Sequence, residues 1–246
     1  MHLYIDIGNT ALKWRARDAQ QVVAGGGAHR RDWADQIKAI SGRLPRTPFA
    51  VTVASVAGRT VDESIAGLMQ DTFGVLPAFY YSPAADAGVT NSYAEPARLG
   101  VDRWLAIVEA WHRAGAAIVI DCGSALTIDA VNREGVHCGG FIVPGLNMLQ
   151  SSLVSGTGAI RVDAAGEDSL RPGVSTSECV RHGILRMSVA FITDAVVALQ
   201  EVVHDTCPVF ITGGDARVLL PFLHANVQAV PDLVLDGLER VAAQRR

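Results

Sequence analysis

The sequence predicts an α/β protein in which one unit occurs twice. Each half runs as three hairpin-linked strands followed by helix, strand, helix and strand. Two observations carry this expectation. Tyr4-Ile5-Asp6-Ile7-Gly8-Asn9-Thr10 is echoed by Val119-Ile120-Asp121-Cys122-Gly123-Ser124-Ala125, each an apolar strand-like run that ends in Asp-x-Gly and a small polar residue. The segments downstream of the two runs also correspond, element for element, and the divide falls at residues 114–116.

In the first half, period-two patterning predicts strands over 12–17 and 21–28, a helical spacing covers 31–41, and a further strand covers 49–56. In the second half, strands are expected at 126–131 and 136–143 and a helix at 144–153, with Pro144 suited to its first turn. A strand is expected at 208–212, and each half closes with another helix and short strand. Two long elements stand outside the repeat. Residues 82–99 form a loop rich in Pro, Ala and Gly with Tyr93 near its middle, and long loops in compact domains often carry function. Residues 176–203 form a helix whose stripe of Val180, Ile184, Met187, Phe191, Ala195, Leu199 and Val202 suits a core, or a face shared between core and a subunit interface.

Length and composition bound the rest. A chain of 246 residues suits one large domain or two of roughly 120 residues each. With 49% hydrophobic and 19% charged residues it is not a disordered chain. A net charge of −4 argues against a nucleic-acid partner, and any anionic ligand must be held by local amides and cations. The four cysteines, Cys122, Cys138, Cys179 and Cys207, have neither CxxC nor zinc spacing, which argues for a reducing compartment. The N-terminal segment lacks a basic n-region, and the most apolar run, 114–120, is far shorter than a membrane span. The expectation is a cytoplasmic protein with no membrane partner.

Several short segments carry candidate chemistry. In Asp6-Ile7-Gly8-Asn9-Thr10-Ala11-Leu12-Lys13, the glycine permits a tight turn and small polar residues expose backbone amides that can cradle phosphate oxygens. Asp6 can hold Mg²⁺ directly or through water, and Lys13 adds a cation. Asp121 to Thr127 form a second such turn, in which Ser124 and Thr127 offer hydroxyls and Asp121 a cation ligand. Gly100-Val101-Asp102-Arg103 marks a helix start, a natural anion site, with a carboxylate to accept a proton and a guanidinium to fix an anion. Gly139–Gly145 leads from a strand toward a helix, and Gly213-Gly214-Asp215 is either an ordinary strand-to-helix turn or, in a nucleotide-binding protein, a place with room for a flat base. The seven histidines are scattered, none lying within these turns, and neither a P-loop nor a GxSxG elbow occurs.

In this combination and order, from Asp6 to about Gly237, the motifs resemble the type III pantothenate kinase family of the acetate and sugar kinase/actin superfamily. The resemblance rests on D-x-G-N-T-x-x-K at Asp6–Lys13, G-x-D-R at Gly100–Arg103, the second phosphate loop at Asp121–Thr127, G-G-x-I-x-P-G at Gly139–Gly145, and Thr176, Cys179 and Gly183 at a helix start. Gly213-Gly214-Asp215 and the ending at 231–237 also fit. It implies a duplicated ribonuclease H-like (actin-like ATPase) fold of two facing βββαβαβ-type domains. Residues 1–114 would carry the first phosphate loop, and 115–246 the second loop and a dimer helix.

The implied reaction is ATP-dependent phosphorylation of pantothenate, the first step toward coenzyme A. The resemblance assigns Asp102 as general base, and Tyr93, Gly100, Val101, Asp102, Arg103 and Thr176 to pantothenate, with Thr176 reaching the partner subunit's pocket in a homodimer. It assigns Asp6, Ile7, Gly8, Asn9, Thr10, Ala11, Leu12, Lys13 and Ser124 to ATP, and Asp121 to a monovalent cation, K⁺ or NH₄⁺. Ser124 stands where the family usually has Thr, Cys179 where it has Ala, and 152–160 is a loose version of its stretch. The alternatives are another small-molecule kinase of the superfamily and a non-catalytic accessory protein for transcription, related to Bvg accessory factors. The catalytic set Asp6, Lys13, Asp102, Arg103 and Asp121 is present, which disfavours the second.

Overall fold

The computed structural model describes residues 1–29, 32–163 and 166–245. It divides into two compact units, Met1–Glu109 with Asp232–Arg246, and Ala110–Pro231. The sequence division at 114/115 differs from this mainly at the C-terminus, where 232–245 return to the first unit.

The first unit contains β1 (His2–Ile7), β2 (Ala11–Arg17), β3 (Val22–Ala28), α1 (Trp33–Ser41), β4 (Ala50–Ser55), α2 (Arg59–Phe73) and β5 (Ala78–Tyr80). The predicted helix start at Arg31 lies outside the described residues; α1 itself begins after Asp32, whose side chain accepts from the Asp35 N–H. The sheet order is β3-β2-β1-β4-β5, antiparallel across the first three strands and parallel from β1 through β4 to β5. Alternation along β1 sends Leu3, Ile5 and Ile7 into a core with Trp14, Val51 and Val53, closed by Ile37 and Ile40 of α1 and Ile65, Met69 and Phe73 of α2. A small hairpin, β6 (Ala85–Asp86) with β7 (Val89–Thr90), lies within the long loop. The helix α3 (Val101–Ala114) comes next.

The second unit repeats the pattern. Its strands β8 (Ala117–Cys122), β9 (Ala125–Val131) and β10 (His137–Pro144) lead to α4 (Leu146–Gly156) and α5 (Thr176–Val203). Then come β11 (Val209–Thr212), α6 (Ala216–Leu219) and β12 (Val227–Ala229), before α7 (Leu233–Ala243) in the first unit. The sheet order β10-β9-β8-β11-β12 has the same directions as the first sheet. The duplicated α/β architecture read from the sequence is therefore present in both units.

Two local expectations are corrected. Pro144 ends β10 opposite Ala125 and is not in α4, whose N-cap is Gly145 in extended conformation. On α5, Met187 and Val202 are about half exposed; Leu185, Ser188 and Ile192 join Val180, Ile184, Ala195, Leu199 and Val203 on the buried face. That helix is also long and apolar enough to cross a membrane, but Leu185, Ile192, Ala195 and Leu199 join the core beneath the second sheet. Finally, α7 packs on β1, β2 and β4. Arg15 of β2 holds it there through Asp232 (2.9 Å), Asp236 (2.6 Å) and Glu239 (2.8 Å). Burial opposes the Arg15 charge, yet Asp236 and Glu239 raise its pKa above the ordinary guanidinium value. The four cysteines are all free thiols.

Candidate active site

The first predicted phosphate turn joins β1 to β2. Asp6 stands directly opposite Lys13 and Ile7 opposite Leu12 in the antiparallel register. Ile7 and Leu12 are buried, which anchors the turn to the core, while Asn9, Thr10 and Ala11 are exposed. The turn closes through the Gly8 N–H donating to Ala11 O at 2.9 Å. Its flank is fixed by the Val56 N–H donating to Ile7 O at 3.0 Å. Two residues that the sequence reading missed also bear on it. His29, directly after β3, donates its backbone N–H to Thr10 O (3.2 Å) and has Nε2 3.1 Å from Gly8 O. Asp62, on the buried stripe of α2 with Ile65 and Met69, accepts from the Ser55 hydroxyl, and Ser55 Oγ accepts from the Ala57 N–H at 3.2 Å. A carboxylate on an apolar stripe is the signal that could have found Asp62.

The second candidate cluster is local to the long loop and the start of α3. Asn91 organises the loop, its amide donating to Pro83 O (3.2 Å) and Pro96 O (3.1 Å) while its side-chain oxygen accepts from the Tyr93 N–H (3.0 Å). Tyr93 is thereby delivered to Arg103, whose Nη1 donates to the phenol oxygen at 3.0 Å and whose guanidinium lies 5.9 Å from the ring centroid. Arg103 is only 6% exposed, so its fork is held in one place. Asp102 is half-buried; its Oδ1 accepts from the Arg103 N–H at 2.8 Å. Gly100 leaves the space that this carboxylate enters, since a β-carbon there would lie 2.6 Å from Asp102 Oδ1. Val101 is buried and seats the helix start. Tyr93, Gly100, Val101, Asp102 and Arg103 are thus neighbours in one constellation, and Thr176 is not among them.

In the second unit three turns meet at one end of the sheet. Asp121 faces Thr127 across β8–β9 and Thr212 across β8–β11. The turn at Ser124 is a residue shorter than its counterpart and closes through the Gly123 N–H to Ala125 O at 3.0 Å. The Gly145 N–H donates to Ser124 O (3.0 Å), and the Asp215 N–H donates to Cys122 O (2.9 Å). Burial raises the Asp215 carboxyl pKa, partly offset by Arg217. Asp215 lines a cavity of about 160 Å³ together with Asn147, Gln150 and Arg181. Burial, reinforced by the Asp121 and Asp215 charges, raises the Cys122 thiol pKa. Thr176 opens α5 and lines a separate open cavity of about 940 Å³ with Leu149, Leu153, Val174, Cys179 and Met187.

Among the described residues no group of three or more His, Cys, Asp or Glu side chains could hold a metal. Asp6 and Asp121 each offer a single carboxylate. Such a donor fits a Mg²⁺ that keeps its waters and takes phosphate oxygens, or a weakly held monovalent ion; it does not fit a protein-caged divalent ion.

A sequence profile of type III pantothenate kinase matches residues 2–198. The chain belongs to that family. A type III pantothenate kinase of Alcanivorax borkumensis is 49% identical over 251 residues, covering 100% of both chains. Among solved structures, a Baf family protein of Campylobacter jejuni has a TM-score of 0.63 at 18% identity and covers 99% of this chain and 98% of that one. A Sinorhizobium meliloti protein assigned as a 2-dehydro-3-deoxygalactonokinase has a TM-score of 0.56 at 13% identity, covering 100% and 99%. At those identities the likeness is one of fold, and it agrees with the duplicated ribonuclease H-like architecture. For a type III pantothenate kinase, the Gly100–Arg103 constellation can combine a proton acceptor with a fixed anion clamp, and the two Asp-x-Gly turns can present amides to phosphates.

Proposed function

We propose that this chain transfers the γ-phosphoryl group of ATP to the hydroxyl of pantothenate; its relatives are named type III pantothenate kinases. The observation that carries the proposal is the Tyr93–Arg103–Asp102–Gly100 constellation in a member of this family. Asp102 is the general base that takes the proton of the attacking hydroxyl. The oxygen then bonds to the γ-phosphorus as the bond to the bridging oxygen breaks, and ADP leaves. Arg103, oriented by Tyr93, fixes the pantothenate carboxylate. Transfer of this kind needs positioning and charge stabilisation more than covalent chemistry.

The Asp6–Lys13 turn and Ser124 contact ATP, with the exposed turn amides on phosphate oxygens and Lys13 adding charge. Asp6 would hold Mg²⁺ through water, and Asp121 a monovalent cation; such ions supply charge neutralisation at the phosphates. The enzyme works as a homodimer in which Thr176 serves the partner's pantothenate pocket. This is supported by the apolar surface around that residue, where Val174 is 95% and Met187 51% exposed. A cytoplasmic location accords with the need for ATP.

The test is ADP release by purified protein given ATP, Mg²⁺ and pantothenate, with K⁺, NH₄⁺ or Na⁺ as the only monovalent cation. Pantothenate-dependent release that needs K⁺ or NH₄⁺ is expected. No release in any of these salts would overturn the proposal. A monomer by light scattering at assay concentration would overturn the dimer.

A further inference from the structure

The two Asp-x-Gly turns are built alike at the backbone but differ in one side chain. In the first unit, β3 ends with Ala28 paired to Ala11, and the next residue, His29, donates its N–H to Thr10 O at 3.2 Å. In the second unit, β10 ends with Pro144 paired to Ala125, and the next residue, Gly145, donates its N–H to Ser124 O at 3.0 Å. His29 and Gly145 are therefore matched positions. Gly145 has no side chain, and a β-carbon there would lie 2.7 Å from Ser124 O. His29 instead sends an imidazole back over the turn, with Nε2 3.1 Å from Gly8 O.

A carbonyl oxygen only accepts, so Nε2 must carry the proton in this contact. The imidazole is 3% exposed and lies against Trp33, ring centroids 4.4 Å apart, so its direction is set by packing. One residue thus ties down two carbonyls of the turn, those of Gly8 and Thr10. The Gly8 carbonyl and the Asn9 N–H belong to one planar peptide unit and point in opposite directions. Drawing the carbonyl toward His29 directs the Asn9 N–H away from it. A free carbonyl at this place would present partial negative charge to a phosphate if the peptide rotated. Held, it presents a donor.

We infer that His29 is a positioning residue, whose Nε2–H fixes the Gly8–Asn9 peptide so that the first turn presents an amide to the ATP phosphates. The inference rests on the reading of Asp6–Lys13 as an ATP turn. In the second unit Gly145 leaves the matching carbonyl, Gly123 O, without an imidazole, so the histidine clamp is particular to the first turn.

The test compares His29→Phe, which keeps a ring against Trp33 but has no donor, with His29→Gln, which restores an N–H donor, and with Lys13→Ala. Steady-state kinetics with ATP and pantothenate varied separately are the readout. His29→Phe is expected to raise KM for ATP roughly tenfold, the effect of one lost hydrogen bond that orders a binding amide, with KM for pantothenate unchanged and His29→Gln recovering most of the loss. Lys13→Ala must also raise KM for ATP. If it does and His29→Phe does not, the role of His29 is overturned while the turn's assignment stands. If neither does, the assignment itself falls, and the inference with it. Nitrogen-15 NMR of the imidazole gives a check that needs no variant: Nε2 must be protonated in the native enzyme, and a ring protonated at Nδ1 alone overturns the clamp.

Discussion

Gly100 and Asp102 share one space: a β-carbon on Gly100 would stand 2.6 Å from Asp102 Oδ1, the same oxygen that accepts the Arg103 N–H at 2.8 Å. The glycine of the G-x-D-R segment is thus explained by the carboxylate two residues on. Gly100→Ala should move that carboxylate with little effect on the rest of α3. The expected result is a fall in kcat of about 10²-fold with KM for ATP nearly unchanged, because misplacement of a catalytic group by about an ångström costs that much. Asp102→Asn removes the proposed base and should cost about 10²–10⁴-fold in kcat. A fully active Asp102→Asn enzyme would remove Asp102 from the mechanism.

Arg103 gains its direction from Tyr93. Tyr93→Phe keeps the ring that faces the guanidinium and deletes the phenol oxygen at 3.0 Å. KM for pantothenate should rise about tenfold, equivalent to ~1.4 kcal/mol, while KM for ATP stays constant. Equal changes in both constants would mean that Tyr93 supports the fold of the loop and not the substrate clamp.

Much of this was legible in the sequence because the repeat and the glycine-bearing turns are local signals. Asp6–Lys13 and Asp121–Thr127 announce themselves by strand pattern and turn chemistry, and both form the hairpins expected. Pro144 misled because its fixed φ suits a strand end as well as a first helical turn. The α5 stripe drifted because a helix 28 residues long has apolar residues on more than one face, and only the sheet beneath decides which are buried. Two features were out of reach. The return of 232–245 to the first unit depends on Arg15 ion pairs more than 200 positions away in the chain. The contact of His29 with Gly8 depends on the β2–β3 register. Neither leaves a local pattern.

Asp62 ties stability to pH. It is 5% exposed, its Oδ1 has no hydrogen-bond partner, and burial raises its pKa from 3.8 despite the hydrogen bond from Ser55. A raised carboxyl pKa means that the fold prefers the protonated form. The stabilising contribution is complete below pH 3.8 and is lost as pH rises through the higher folded value. Asp62→Asn keeps an acceptor for Ser55 but cannot ionise. It should be more stable than the native chain at pH 7 by about 1 kcal/mol, with the difference vanishing toward pH 4. Thermal melts of both proteins across that range would decide, and a difference independent of pH would exclude ionisation of Asp62 as the cause.

Gly213 and Gly214 are adjacent and should behave oppositely. Gly213 has φ +93°, and a β-carbon would lie 2.5 Å from Asp121 Oδ1 as well as against the Cys122 backbone. Gly213→Ala therefore combines left-handed strain with a collision at the residue proposed to bind the monovalent cation. It should destabilise by roughly 1–3 kcal/mol and weaken activation by K⁺. Gly214 has nothing within 4 Å of its β-carbon position and an ordinary φ. Gly214→Ala should melt within about 0.5 kcal/mol of the native protein. If the space beside Gly214 receives the adenine of ATP, the added methyl group will raise KM for ATP without touching stability. An unchanged KM for ATP in Gly214→Ala would place the base elsewhere, and a Gly213→Ala enzyme with native stability and native K⁺ activation would show that Asp121 tolerates displacement.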